Sequence, residues 1–239
     1  MQSEACDMDE FSIRHVAELG RTVTGKTPSS SDPLDFGDGT PFVTPSDSFE
    51  QKYIGKSERS LSAEGVRKLK GKLLPPESVL VTCIGSAMGK VAMNRVASIT
   101  NQQINAIVVS EKYSPHYVCY ALKNSYKQLR NAATGSTALP LLSKGDFDLL
   151  PIRIHNDKSI QQQIATVLSA LDAKIDLNNR VNAELEALAK TIYDYWFVQF
   201  DFPDASGRPY KSSGGAMAWN DTLRREIPAG WQDGVLGKL

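Results

Sequence analysis

The 239-residue chain has no run of about 18 consecutive apolar residues, which excludes an ordinary membrane-spanning helix. Cysteine is scarce: Cys6, Cys83 and Cys119 are odd in number and match no metal-ligand spacing, so free thiols in a reducing compartment are expected. His15, His116 and His155 are scattered, with no Ser or Cys set beside them for nucleophilic chemistry. No H-E-x-x-H, G-x-S-x-G or G-x-G-x-x-G string occurs. Catalysis, a metal and a cofactor are therefore not expected of this chain. Its start, MQSEACDMDEFS, is acidic and polar, unlike a secretory leader. A cytoplasmic location is expected.

Net charge is also missing: 27 Lys and Arg balance 27 Asp and Glu. The distribution is uneven. Residues 1–50 carry 3 basic and 10 acidic residues, a net of −7, whereas residues 51–150 carry 14 and 6, a net of +8. Such asymmetry lets one face of a neutral molecule meet nucleic acid, and it also suits a solvated surface whose charges cluster.

One stretch suggests a nucleotide site. IGSAMGKV at 84–91 follows the apolar run SVLVTC and ends in a lysine. A phosphate-binding loop needs four residues between its glycines and a hydroxyl after its lysine. Here only Ser86, Ala87 and Met88 separate Gly85 from Gly89, and Val91 follows Lys90. The following VAMNRVASI is rich in β-branched residues, so a strand–loop–strand corner is the better reading.

Elsewhere before Pro151 the elements are short. SIRHVAEL suits a strand or one or two helical turns; TVTGKTPSSSDP and DFGDGTP read as loops. PFVTPSD, SVLVTC, KVAMNRVASI and INAIVVS read as strands. SPHYVCYALKNSYKQLRNAA reads as a helix, with Ser114 as N-cap, Pro115 in the first turn, and Tyr117, Ala121, Leu122 and Leu129 at helical spacing. The fold class expected is α+β, a mixed-strand domain over residues 1–156. A long coiled-coil-type helix follows over 157–199.

That helix has no Pro or Gly for some forty residues. Ile164, Leu171, Leu185 and Ile192 form one heptad line; Val167, Val181, Leu188 and Tyr195 form the other, widened by Leu168 and Ile175. Such a seam needs a partner. Asn178 sits at its midpoint, where a buried asparagine fixes register, unless the seam drifts and turns it to solvent. Residues 200–239 begin linker-like. At an offset of 220, Trp231, Leu236 and Leu239 then match Phe11, Val16 and Leu19, like the truncated start of a second copy of the first domain.

ELGRTVTGKTP, IGSAMGKVAMN, TNQQINAI, GSTALPLLSKGDFDLLPI and the helix IQQQIATVLSALDAKIDLNNRVNAELEALAKTIYDYWFVQFD together resemble the specificity (S) subunit of type I restriction–modification enzymes. The resemblance runs from about Phe11 to Leu239. It implies a target-recognition domain that reads one half of a bipartite site in double-stranded DNA, without catalysis of its own. Full subunits of that family have two such domains, each followed by a long helix, with the helices antiparallel. Methyltransferase (M) subunits, which hold S-adenosylmethionine, dock on them, with the restriction (R) subunit beyond. This chain has one recognition domain and one complete helix, so an antiparallel homodimer through Ile164, Leu171, Asn178, Val181, Leu185, Leu188 and Ile192 is expected. The alternative is a half-length chain that modulates or blocks assembly of a full S subunit without reading DNA. A nucleotide-hydrolysing reading rests on IGSAMGKV alone.

On the same resemblance, IGSAMGKVA is the corner near the DNA-facing side, with Ser86 and Lys90 as contacts. Amide side chains read adenine edges, and Ser, Thr and Lys grip phosphates. Lys26, Thr27, Ser29 and Ser30 of TGKTPSSS are candidates, as are Asn101, Gln102, Gln103 and Asn105 of TNQQIN and Thr134, Ser136 and Thr137 of ATGSTALP. Lys52 and Tyr53 are further candidates. Solvated loops and turn-forming amides are the plainer explanation of all these residues.

Overall fold

The computed structural model describes residues 10–29, 32–133 and 140–234. It divides into two compact units between Lys174 and Ile175. Strand β1 (Phe11–His15) runs into one helical turn, α1 (Val16–Leu19), and strand β2 (Gly20–Thr24). Strands β3 (Phe36–Val43) and β4 (Arg59–Leu61) lead to helix α2 (Ala63–Lys68). Strands β5 (Val79–Thr82), β6 (Val91–Met93), β7 (Ile99–Thr100) and β8 (Ile104–Val109) precede helices α3 (Pro115–Asn124), α4 (Tyr126–Asn131) and α5 (Lys144–Asp148). Strand β9 (Pro151–His155), the long helix α6 (Lys158–Tyr193) and the hairpin β10 (Met217–Asn220) and β11 (Arg225–Pro228) complete the order.

An antiparallel sheet, β2-β8-β5-β6, forms the heart of the first unit. Strands β5, β6 and β8 are largely buried at successive positions because both faces are covered. Val79, Val81, Val91, Met93 and Ile107 share one cluster with Val118 and Leu122 of α3, Leu129 of α4 and Phe147 of α5. Leu80, Ala92, Ile104 and Ala106 face the other way, against Val43, Phe49, Ile54 and Leu74. A second sheet, β4-β3-β7, combines an antiparallel and a parallel pair. The expected α+β class with mixed strands is present, and β1 pairs antiparallel with β9.

Several local expectations change. Thr22, Val23 and Thr24 are not loop: their β-branched side chains suit the edge strand that pairs with Ile107, Ala106 and Asn105. FGDGTP lies within β3, where a bulge lets both Phe36 and Thr40 pair with Leu61; the glycines mark that irregularity. KVAMNRVASI is two strands in different sheets, split by the turn after Asn94, whose side chain bonds the backbone of Ser78, Pro75 and Val96. The helix that Ser114 caps ends at Asn124, and Ser125 turns its hydroxyl back to the carbonyl of Ala121 before α4 restarts.

Within the first unit, the part of α6 up to Lys174 is fastened along one face. Gln161 is fully buried; its Nε2 donates to the His155 carbonyl at 2.7 Å and its Oε1 accepts from the Ser114 amide at 2.9 Å. Eight residues on, Ser169 Oγ accepts from Lys52 Nζ at 2.6 Å, and Tyr120 donates to Asp172 at 2.6 Å. Lys52 is itself buried, with its ammonium 4.9 Å from the Tyr120 ring centroid. Burial holds its pKa below the usual lysine value.

Along the expected seam Ile164 is half-buried and the rest is exposed: Leu171, Asn178, Val181, Leu185, Leu188 and Ile192. In the second unit the helix ends in a π-helical turn over Asp194–Val198. The linker-like stretch holds an aromatic stack and the β10–β11 hairpin: Phe202 stacks on Tyr210 and on Trp231, at 4.8 and 5.2 Å. Leu236 and Leu239, which carry most of the suggested repeat, lie outside the described residues.

Cys83 and Cys119 are free and buried, and that burial pushes both thiols up from about 9 to about 11. The unfolded chain ionises its thiols near pH 9 and the folded chain resists until about pH 11. Stability from this source is therefore intact below pH 9 and lost between pH 9 and 11, by roughly 2–3 kcal/mol per thiol. Urea titrations at pH 8 and pH 10.5 should show Cys119→Ala losing less stability across that interval than the parent chain. Equal losses would rule this account out.

Candidate nucleic-acid interface

The registers of the central sheet bring distant segments to one end. Thr24 pairs with Asn105, Thr82 with Ile104 and Val81 with Val91. The segment after β2, the corner between β5 and β6, and the turn before β8 therefore emerge side by side. Pro140–Leu142 joins them: the Gly85 amide donates to Pro140 and the Leu142 amide to Cys83, at 3.0 and 2.9 Å.

TGKTP and TNQQ are bonded together. The amides of Gly25 and Lys26 donate to the carbonyls of Ile104 and Thr100, and Thr27 Oγ1 donates to Gln102 Oε1 at 2.7 Å. Position 25 must be glycine, because a Cβ there would stand 2.1 Å from the Asn101 carbonyl oxygen. Lys26, Ser29 and Gln102 are exposed. Asn101 is buried and braces its own turn, donating to Gln103 Oε1 at 2.9 Å and accepting from the Gln103 amide at 3.1 Å. Asn105 is buried within β8, accepting from Thr24 Oγ1 and donating to Cys83 Sγ. Its geometry is that of a brace. Ser30, Thr134, Ser136 and Thr137 lie outside the described residues.

The corner has the strand–loop–strand form expected of it. Gly85 and Gly89 both have positive φ, +77° and +90°. Thr82 Oγ1 donates to the Ala87 carbonyl and accepts from the Lys90 amide, closing the loop from inside. Met88 is fully buried and anchors it, while Ser86 and Lys90 are exposed. Lys90 forms an ion pair with Glu50, whose carboxyl is held below its usual pKa by that lysine. Lys52 belongs to the joint with α6, and Tyr53 bridges to Met93 beside Arg95, so neither lies at this end.

Two residues escaped the sequence reading. Arg130 donates from Nη1 to the carbonyls of Ser86 and Met88, both at 3.3 Å, and Tyr126 lies under Gly89. The only sequence signal is the i,i+4 pair in YKQLR, and nothing in its local pattern ties it to a corner some forty residues earlier.

What this end offers chemically is a set of exposed amide, hydroxyl and cationic groups on rigidly held loops, suited to phosphates and base edges. Among the described residues no group of three or more His, Cys, Asp or Glu is placed to hold a metal ion, and no helix is long and apolar enough to cross a membrane.

A family model described as the type I restriction modification DNA specificity domain matches residues 6–187. The chain belongs to that family. The specificity subunit of the type I restriction enzyme MjaIX from Methanocaldococcus jannaschii is 28% identical over 234 residues, 96% of this chain and 51% of that protein. The specificity subunit of HindI from Haemophilus influenzae is 33% identical over 144 residues, 59% of this chain and 31% of that protein. The chain thus spans about half the first relative and about a third of the second. Two solved structures share the fold, each over 80% of this chain and 46% of their own, each with a TM-score of 0.58. One is from a study of assembly and conformational transition in a type I R-M system, at 19% identity. The other is the type I S subunit from M. genitalium, at 17%.

The specificity domain's two corner glycines differ in surroundings, which yields a test. A Cβ on Gly89 would stand 3.0 Å from the Tyr126 ring, whereas one on Gly85 meets nothing within 4 Å. Both substitutions force a side chain into the left-handed region, at about 1–3 kcal/mol each. Thermal unfolding should show Gly89→Ala costing more than Gly85→Ala; equal costs would mean the Tyr126 packing does not hold the corner.

Proposed function

We propose that this chain is a DNA-reading specificity subunit of a type I restriction–modification assembly. On this reading it contributes recognition, and partner M and R subunits carry methyl transfer and cleavage, with S-adenosylmethionine on the M subunit. The observation that supports it most is the gathering of Lys26, Thr27, Ser86, Lys90 and Gln102 at one end of one sheet, in a chain of the DNA specificity family. With equal numbers of acidic and basic residues, the isolated chain should bind DNA weakly and depend on its methyltransferase partner for much of the grip.

The roles at this end divide by chemistry. Lys90 meets phosphate, in competition with Glu50. Lys90→Ala should weaken binding to all sequences alike and reduce the slope of log affinity against log salt by about one. Glu50→Gln should strengthen binding to all sequences alike, because it frees the lysine. Gln102→Ala should instead relax preference at one base pair, at about 1–3 kcal/mol. These are measured by titrating methyltransferase-bound chain with a panel of duplexes. Unchanged sequence preference in Gln102→Ala and Gln103→Ala would remove TNQQIN from the reading surface. Loss of all DNA effects with assembly retained would favour the modulator reading.

We further propose that α6 pairs antiparallel with the same helix of a second copy, the two-fold axis passing near Asn178. The exposed stripe through Leu171, Val181, Leu185 and Leu188 supports this, because so much apolar surface on one helix needs a cover. A two-fold dimer reads two inverted half-sites separated by unread base pairs. Four residues inserted beside Asn178 would lengthen the helix by about 6 Å. The recognised spacer should then grow by one or two base pairs with both half-sites kept. Methylation mapping that shows the original spacer would contradict the pairing.

A further inference from the structure

The segment that leaves β2 carries Lys26, Thr27 and Ser29, and it is bonded to the sheet at its start, through the amides of Gly25 and Lys26 and the Thr27 hydroxyl. Farther along, residues 32–35 lie against helix α2. Ser62 at the N-cap, Gly65 and Lys68 stand three residues apart and so share one side of that helix. All three meet this stretch. The Ser62 hydroxyl donates to the Leu34 carbonyl at 2.6 Å, and the Ser62 amide donates to the Asp35 carbonyl at 3.0 Å. A Cβ on Gly65 would stand 2.2 Å from that Asp35 oxygen, so the two backbones touch there. Lys68 Nζ donates to Asp35 Oδ1 at 2.7 Å and to Asp32 Oδ2 at 2.5 Å.

The two branches of this clamp differ. Asp35 is buried, and a buried carboxylate is costly unless it is paired, which accounts for its bond to Lys68. Lys68 and Asp32 are both more than a third exposed, so their ion pair adds little stability. What that branch does is geometric. The Asp32 amide donates to the Ser29 carbonyl at 3.3 Å, and its carboxylate also accepts from the Leu34 amide at 3.2 Å. Lys68 therefore holds the residue to which Ser29 is bonded. Hydrogen bonds to Asp32 and Asp35 raise the lysine pKa, and the bond from Lys68 lowers that of Asp32, so the clamp is charged at neutral pH.

We propose that Lys68 is a positioning residue for sequence selectivity: by drawing Asp32 and Asp35 onto one ammonium it sets the path of residues 26–29, without touching DNA itself. This rests on the DNA-reading proposal above and adds a residue, outside the loops of the candidate interface, on which that reading depends.

The quantity to measure is a selectivity ratio, the affinity of the methyltransferase-bound chain for its preferred duplex over single-base variants of that duplex. Lys68→Met removes a positive charge and should lower the ratio by about tenfold. Asp32→Ala removes a negative charge, leaves the Lys68–Asp35 pair intact, and should lower the ratio by about threefold or more. A bulk charge effect would instead move affinity for all sequences in opposite directions in the two variants and leave the ratio alone. Hydrogen exchange on the DNA-free chain reads the clamp directly. The amides of residues 32–35 should exchange about tenfold faster in both variants, with those of β5 and β8 unchanged. Unaltered exchange at 32–35 in both overturns the clamp. Faster exchange with an unaltered ratio, where Gln102→Ala does lower that ratio, overturns the positioning role and leaves DNA reading standing. A ratio lowered by none of Lys68→Met, Asp32→Ala and Gln102→Ala overturns the DNA-reading proposal and this inference with it.

Discussion

The Gln161 side chain is the tie on which the arrangement of the first unit depends. It is a polar group with no access to water, and both ends of its amide are satisfied, one by the end of β9 and one by the cap of α3. An unsatisfied amide there would cost about 1–3 kcal/mol, so the helix has one register in which it can start. The end of β9 and the start of α6 are therefore fixed at a single point to the cap of α3, 47 residues before Gln161. Ser169 and Asp172 continue the attachment along the same face, through Lys52 and Tyr120. Ala165 and Ile164 add apolar contacts to that attachment, while Val167 and Leu171 are left exposed.

The second constraint is the doubly covered sheet. Because β5 and β8 are buried on both sides, their register is fixed by apolar side chains in each direction, and a one-residue slip would exchange the two cores. That rigidity carries to the strand ends, where the candidate interface lies. The joint with α6 and the candidate interface lie at opposite ends of the sheet. The Gly20–Val109 end leads through Ser114 to Gln161, and the Thr24–Asn105 end carries the loops.

Long-period and strongly patterned features were legible in the sequence: the 36-residue helix, the capped α3, the apolar strands β5 and β8, and the strand–loop–strand form of the corner at 84–91. Short strands were not. TVT and FGDGTP carry turn-forming neighbours, and only long-range pairing makes them strands. Lys26, Thr27, Ser29, Ser86, Lys90 and the TNQQIN residues came to one end together, and Lys52 and Tyr53 did not. The sequence could not reveal which amides would be consumed internally. Asn101 and Asn105 look like Gln102 in composition and differ from it in burial alone. Lys90 was read without its Glu50 partner, and Arg130 was missed, because contacts across some forty residues leave no local pattern.

The loops at the candidate interface are held chiefly by their backbones. Lys26 is fixed through its amide to Thr100, Gly25 through its amide to Ile104, and Cys83 and Gly85 through theirs to Gln103 and Pro140. None of these bonds uses the side chains of Lys26, Ser29, Ser86 or Gln102. Lys26 and Ser86 are therefore exposed lettering on a frame held by backbone bonds, whereas the Gln102 side chain also ties its turn to Thr27. The tie at Gln161, at the other end of the sheet, is untouched by such exchange. If these loops read DNA as proposed, exchanging Lys26 or Ser86 would alter the preference without touching the bonds that seat the start of α6.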